Sequence, residues 1–247
     1  MKEVQKLGSQ TAKNGFKNEK DIVKKFNNWK EDKDAQIWLK LMEYEISEIE
    51  YVKAIILSGF KADIQVQITI KLKEAIDAEN IQVKLVSNLK GFNQIDKRWI
   101  DKYIEIWEIP LNVSKLLKEY TGEILPSVLN PKDKRRTFAN EFSKENQSII
   151  LKWLNENKSL IVSDILKGRG KFSAEWMLVA QKINNSARWV LKPMNYCLNF
   201  FGNGKVEITK RGNFKIGKIT MQRKGGDGGR KTSQMLQFKI NPAELFN

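Results

Sequence analysis

Histidine is absent from this sequence and cysteine occurs once, at Cys197. A disulfide needs two cysteines, a zinc cluster needs thiolates or imidazoles, and a Ser-His or Cys-His nucleophile needs an imidazole base, so all three are excluded. Long apolar runs are also missing. No 18-residue apolar stretch and no basic amphipathic anchor occurs, which leaves an anionic membrane surface unsupported as a partner. The opening Met1-Lys2-Glu3-Val4-Gln5-Lys6 has no apolar h-region. The expectation is therefore a cytoplasmic protein with Cys197 reduced and buried as a small apolar residue. Acidic residues are the third shortage: 29 Asp and Glu face 44 Lys and Arg, for a formal charge of +15. The excess lies late, since residues 1–50 are balanced while 201–247 hold ten Lys/Arg against three Asp/Glu. A polyanion is the natural partner of such a surface, and counterion release makes its binding steeply salt-dependent.

Hydrophobic residues make up 41% of 247, enough for one substantial core or two small lobes, and a single domain over 1–247 is expected, with a catalytic core of about 10–190 and a β-rich part of about 203–247. Apolar residues alternate at 64, 66, 68 and 70 and again at 81, 83 and 85, the period of half-buried strands. A polar stretch with Glu74, Asp77 and Glu79 separates them. Helices are expected near 15–29, 34–46, 112–121 and 143–157. Another follows Asp96 as N-cap, carries Trp99, Ile100, Tyr103 and Trp107 on its apolar stripe, and ends at Pro110. Trp176–Val179 and Trp189–Leu191 read equally as strand or helix. Strands near 206–209, 215–223 and 234–240 are separated by glycine turns.

The alternation puts Gln82 and Lys84 on one face of their strand and Val83 on the other, toward the core. Asp63, just before the first strand, supplies an anionic oxygen, Gln82 a neutral amide oxygen, and Val83 its backbone carbonyl. Oxygen donors of this kind suit magnesium. A lysine beside them can orient a water, favour its hydroxide form and contact a scissile phosphate. Asp63…Gln82-x-Lys84 is the pattern of the PD-(D/E)xK nucleases with an amide where a carboxylate is more usual, which predicts weaker metal binding. Glu19, between Val23 and Phe26 on a stripe that begins at Phe16, is a carboxylate facing a core or cleft, either a reach toward the metal or a helix-edge partner of Lys20 or Lys24.

Three segments have the chemistry of DNA contact. The first runs Lys90-Gly91-Phe92-Asn93-Gln94-Ile95-Asp96-Lys97, whose amides can read base edges, whose lysines can hold phosphate or guanine, and whose Phe92 or Gln94 can wedge between base steps. Lys132-Asp133-Lys134-Arg135-Arg136 offers Lys134, Arg135 and Arg136 to phosphates, or is a solvated charge run. The third is Arg223-Lys224 with the glycine turn around Asp227, then Arg230, and Gln237 on the following strand. Asp227 and Gln237-Phe238-Lys239 repeat the Asp…Gln-x-Lys pattern, but an aspartate inside a glycine turn assigns that hairpin to DNA contact.

Over nearly its whole length the chain resembles the HinP-type type II restriction endonucleases, which cut the palindrome GCGC, and more distantly the Msp-type enzymes. The resemblance rests on Leu57-Ser58-Gly59, Lys61 to Ile64, Asn80 to Asn88, Gly91 to Lys97, Asp133 to Arg136, Gln222 to Asp227 and Leu236 to Lys239. It implies an α/β (α+β) restriction-endonuclease-like fold, with a central mixed sheet flanked by helices and a C-terminal β-rich region that contacts DNA. It further implies magnesium-dependent hydrolysis of double-stranded DNA with Asp63, Gln82 and Lys84 catalytic, the 91–97 loop at the recognition site, and a companion cytosine methyltransferase. A monomer or weak dimer is expected. Ala62 stands where the family pattern has Ser before the Asp, which bears on positioning and not on the reaction. A structure-selective or repair nuclease of the same fold, or a degenerate DNA-binding module, is the alternative. A DNA methyltransferase is disfavoured, because Cys197 follows Tyr196 and not a proline and no Asn-Pro-Pro-Tyr motif occurs.

Overall fold

The structure, a computed structural model, describes residues 2–70 and 76–247. Its elements run α1 (Lys2–Asn27), α2 (Lys33–Leu41), β1 (Ile49–Ile56), β2 (Ile64–Ile70), β3 (Ile76–Val86), β4 (Asn93–Arg98), α3 (Ile100–Trp107), α4 (Leu111–Thr121), α5 (Lys144–Glu156), α6 (Lys158–Leu166), β5 (Trp176–Ile183), β6 (Ser186–Pro193), α7 (Met194–Gly202), β7 (Val206–Ile208), β8 (Phe214–Ile216), β9 (Ile219–Arg223) and β10 (Leu236–Ile240), with short 3-10 turns between. Contacts divide them into two compact units. One comprises Lys2–Asn93, Lys167–Cys197 and Asn241–Asn247; the other comprises Gln94–Leu166 and Leu198–Ile240.

The first unit is built on a sheet of order β1-β2-β3-β5-β6. Along β2 the inward residues Ile64, Val66 and Ile68 are fully buried, as the alternation predicts. They pack with Ile22 and Phe26 of α1 and Trp38 and Leu39 of α2 into one core. β1–β2, β2–β3 and β5–β6 are antiparallel, whereas β3 and β5 run parallel from Ile81↔Trp176 to Val86↔Gln181. The sheet is therefore mixed, as expected. Met177–Ala180 of β5 are wholly buried on both faces, so this strand shows a continuous apolar run and no alternation. That removes the signal that separates strand from helix, and Trp176–Val179 and Trp189–Leu191 are both strand.

Several boundaries differ from expectation. α1 begins earlier, at Lys2, and its buried face is Asn18, Ile22 and Phe26, while Phe16 is 62% exposed. α2 stops at Leu41, capped by Met42 and followed by Glu43 in a left-handed conformation. Asp77 and Glu79 lie within β3, because Glu79 finds partners in the Tyr44 hydroxyl (2.8 Å) and the Trp176 indole N–H (2.7 Å). Glu74 lies outside the described residues. β1, α6 and α7 carry no separate signal in the reading above.

The second unit has a sheet of order β4-β10-β9-β8-β7 and helices α3 to α6. Asp96 does not cap α3; it lies in β4, and the N-cap is Trp99. Pro110 does not end that helix either, since α3 closes at Glu108 in the left-handed region and Pro110 caps α4. The strand expected over 215–223 is two, β8 and β9, turning at Gly217 (φ 55°), where a Cβ would meet the Asn203 carbonyl oxygen at 2.3 Å. Cys197 is buried in α7, its thiol pushed up to about 12 by burial.

Candidate active site and DNA-contact surfaces

Asp63 is fixed to β3 through its backbone and its side chain. Its N–H donates to the Ile81 carbonyl at 2.9 Å, its C=O accepts from the Leu57 N–H, and its Oδ2 accepts the Val83 N–H at 2.6 Å. β2 begins one residue later, so the Val83 N–H has the Asp63 carboxylate as its acceptor. The Ile64↔Ile81 register makes Asp63 and Gln82 the next pair along the two strands. Gln82 is 2% exposed, and its Oε1 is shielded from solvent with no hydrogen-bond partner. A buried acceptor left unpaired costs about 1–3 kcal/mol, so an orphan beside a carboxylate marks a place where a ligand belongs. Lys84, two residues along the same strand, is half-buried, and Val83 packs into the core as expected.

Glu19 reaches this site from α1. Burial, then the negative charge of Asp63, raise its carboxyl to about 7, against the opposing charge of Lys84. After burial, the charges that act on Glu19 are those of Asp63 and Lys84. Among the described residues no group of three or more His, Cys, Asp or Glu side chains could hold a metal. The available donor set is mixed: the Asp63 carboxylate, the orphaned Gln82 amide oxygen, the Val83 carbonyl and, from α1, Glu19. Hard neutral and anionic oxygens of this kind fit a divalent cation that keeps several waters.

A polar brace beside the site was not foreseen. The Asn80 N–H donates to Glu175 (3.1 Å), its amide donates to the Lys171 carbonyl (3.3 Å), and Gln65 donates to its Oδ1 (3.2 Å). These bonds tie β2 and β3 to the segment entering β5. Asn18, next to Glu19, is likewise buried with Oδ1 unpartnered; its signal was the amide on an otherwise apolar helical stripe. Ala62 is fully buried, its N–H directed to the Phe172 carbonyl, so a methyl fits there without a hydroxyl needing a partner.

The 90–97 segment is half turn and half strand. Lys90 and Phe92 are exposed on a turn closed by Asn88, which accepts from the N–H groups of Lys90 and Gly91. In β4, Gln94 and Lys97 are exposed and Asn93 half-buried. Asp96 points inward, its carboxylate held by the Tyr103 hydroxyl (2.7 Å) and by Arg98 (2.9 Å). Arg98 also bonds Asp164 (2.9 Å), which accepts from the Trp107 indole. Asp96 thus anchors β4 from inside, while Gln94 and Lys97 face out.

Lys134 and Arg135 are exposed on a tight turn and Arg136 is half-buried. In the glycine-rich hairpin Asp227 pairs with Lys224 (2.5 Å) and accepts from Thr232, and these bonds hold its carboxyl down at about 2. Gln237 is buried and donates to the Lys224 carbonyl at 3.3 Å. Lys224, Asp227 and Gln237 are thus engaged with one another, while Arg230 is exposed and Arg223 half-buried.

A mixed sheet carrying a carboxylate, an amide oxygen and a lysine at this spacing defines a restriction-endonuclease fold. The solved structure of restriction endonuclease MspI in complex with its cognate DNA is similar, with a TM-score of 0.65 over 91% of this chain and 88% of that one at 14% identity. The R.HinP1I restriction endonuclease family model matches residues 42–246, and the chain belongs to that family: it is a type II site-specific nuclease acting on DNA. No curated protein matches it.

Proposed function

We propose that this enzyme cleaves double-stranded DNA at GCGC by magnesium-dependent hydrolysis at the Asp63, Gln82, Lys84 and Glu19 site. The observation that carries the reading is the buried Gln82 Oε1, orphaned next to a carboxylate whose other neighbours are a lysine and a second, protonatable carboxylate. A magnesium ion held by Asp63, Gln82, the Val83 carbonyl and Glu19 would supply Lewis acidity at the scissile phosphate. Asp63 keeps its carboxylate oriented through the Val83 N–H. Lys84 sets its ammonium against the attacking water and the phosphate oxygens, stabilising charge that grows toward the transition state. Phe92, Asn93, Gln94 and Lys97 meet the bases, with Asp96 holding their strand; Lys90, Lys134, Arg135, Arg136, Arg223 and Arg230 meet the backbone. A companion cytosine methyltransferase would protect the host sites, and the enzyme would act in the cytoplasm as a monomer or weak dimer.

Unmethylated plasmid incubated with the protein and magnesium should give discrete fragments ending at GCGC, and prior methylation of the inner cytosine should stop the cutting. Lys84→Ala should abolish cleavage while specific binding, measured with calcium in place of magnesium, persists. Near wild-type cutting by Lys84→Ala would remove the site assignment. A smear, junction-only cutting, or indifference to methylation would replace the GCGC reading by that of a less selective nuclease of the same fold.

A further inference from the structure

A cavity of about 360 Å³ opens between the Asp133–Arg136 turn and the hairpin backbone at Gly225 and Gly226, with Arg223 in its wall. Three guanidinium groups line it beside one carboxylate, and that carboxylate is already engaged. Arg135 binds Asp133 through two parallel bonds, Nε to Oδ1 at 2.8 Å and one terminal nitrogen to Oδ2 at 3.0 Å. Asp133 therefore belongs to Arg135, whose bonds hold its carboxyl at about 2. Arg136 lies over the Phe138 ring, 3.8 Å from its centroid, which fixes the plane of its fork. The Nε–H of Arg223 is shielded from solvent and has no acceptor. Burial pushes both guanidinium groups below their ordinary range, and for Arg223 the positive charges of Arg136 and Arg135 add to the effect. Opposite the arginines the wall is bare: a Cβ on Gly225 or Gly226 would meet nothing within 4 Å, so a ligand can approach the backbone closely.

We infer that this cavity is a subsite for one phosphate of the bound DNA, gripped jointly by Arg136 and Arg223, while Arg135 in its wall is engaged by Asp133. The inference rests on the DNA-cleaving function and adds to it a division of labour among neighbouring arginines that charge alone would make equivalent. Two guanidinium forks lining one cavity can match the oxygens of a phosphodiester, which accept in pairs.

The test uses the intact protein. With Nε-labelled arginine, the Arg136 and Arg223 Nε–H resonances, assigned by their loss in Arg136→Gln and Arg223→Gln, should shift together as sulfate or inorganic phosphate is added, with one shared saturation curve. In the complex with a GCGC duplex and calcium they should no longer respond to sulfate, because a DNA phosphate fills the cavity. Absence of any shift in the free protein, or continued sulfate response in the complex, would overturn the proposal, the second outcome leaving a site for free anions only. Salt titration adds an independent readout. If both arginines serve one phosphate, Arg136→Gln/Arg223→Gln should flatten the slope of log K against log salt by about 0.9 in total, whereas two separate phosphates would give about 1.8. Salt-dependent binding by the wild type together with an unchanged slope in the double variant would refute the clamp and leave the nuclease reading standing; failure of the wild type to bind duplex at all would remove that reading itself.

Discussion

An amide where a carboxylate is usual would leave the proposed metal site one negative charge short, and we propose that Glu19 compensates. Its carboxyl titrates at about 7, raised by burial and by Asp63. In metal-free protein this gives stability a definite sign. A carboxyl whose folded value exceeds its unfolded value of about 4.5 binds protons more tightly in the native state. Its contribution is full below about 4.5 and is lost as pH rises through about 7. Glu19→Gln cannot ionise, so in chelator its melting temperature should match wild type near pH 4 and exceed it at pH 8, the difference growing between these values and then levelling. A difference that is flat with pH would show that Glu19 is not coupled to Asp63. Added metal should reverse the ranking at pH 8, because the ionised carboxylate then acquires a partner.

At the scale of elements, α4 is the frame for the arginine turn. Glu119, buried in the helix, accepts from the Ser127 hydroxyl (2.8 Å) and N–H, and its carbonyl accepts the Thr137 N–H. Gly122 closes the helix at φ 82°, and a Cβ there would meet the Arg135 carbonyl oxygen at 2.3 Å. Gly59, at φ 80°, has nothing within 4 Å. Gly122→Ala should therefore cost about 1–3 kcal/mol, backbone strain plus displacement of the turn, and should weaken DNA binding, whereas Gly59→Ala should cost only the strain of about 1 kcal/mol. Thermal melts with a duplex-binding assay on both variants check this; equal losses would mean that the turn yields freely. β2, α4 and α5 were legible because one face of each meets solvent and the period survives. β5 was not, since both its faces are covered. Asp96 was misread because aspartate before an apolar run is the usual sign of an N-cap, while its actual partners, Tyr103 and Arg98, are fixed by tertiary packing. That Gln82 and Lys84 share a face of β3 could be read because strand alternation fixes it. The pairing of Arg135 with Asp133 could not, since in a basic run any arginine could take the aspartate.

For the whole molecule, neither compact unit is a contiguous stretch of chain. The backbone passes between them at Asn93/Gln94, Leu166/Lys167, Cys197/Leu198 and Ile240/Asn241. The last seven residues return to the first unit, where the Asn241 amide donates to the Leu89 carbonyl (3.0 Å) and Arg188 lies over Phe246. Units interleaved in this way complete together, so calorimetry should give one transition with equal calorimetric and van't Hoff enthalpies. Two resolved peaks would refute the single-domain expectation. No helix among the described residues is long and apolar enough to cross a membrane.

The parallel pairing of β3 with β5 also sets a schedule. Glu19, Asp63, Gln82 and Lys84 have all left the ribosome before Trp176, the first residue of the strand that holds β3 in place, is made. At about 5–20 residues per second the interval from Val86 to Trp176 lasts roughly 5–20 s. Throughout it, the nascent chain carries the four proposed catalytic side chains but lacks the strand that pairs with the other edge of β3. A DNA-cutting enzyme arranged in this way should stay inactive until β5 is made, and chains truncated before Trp176 should show no cleavage.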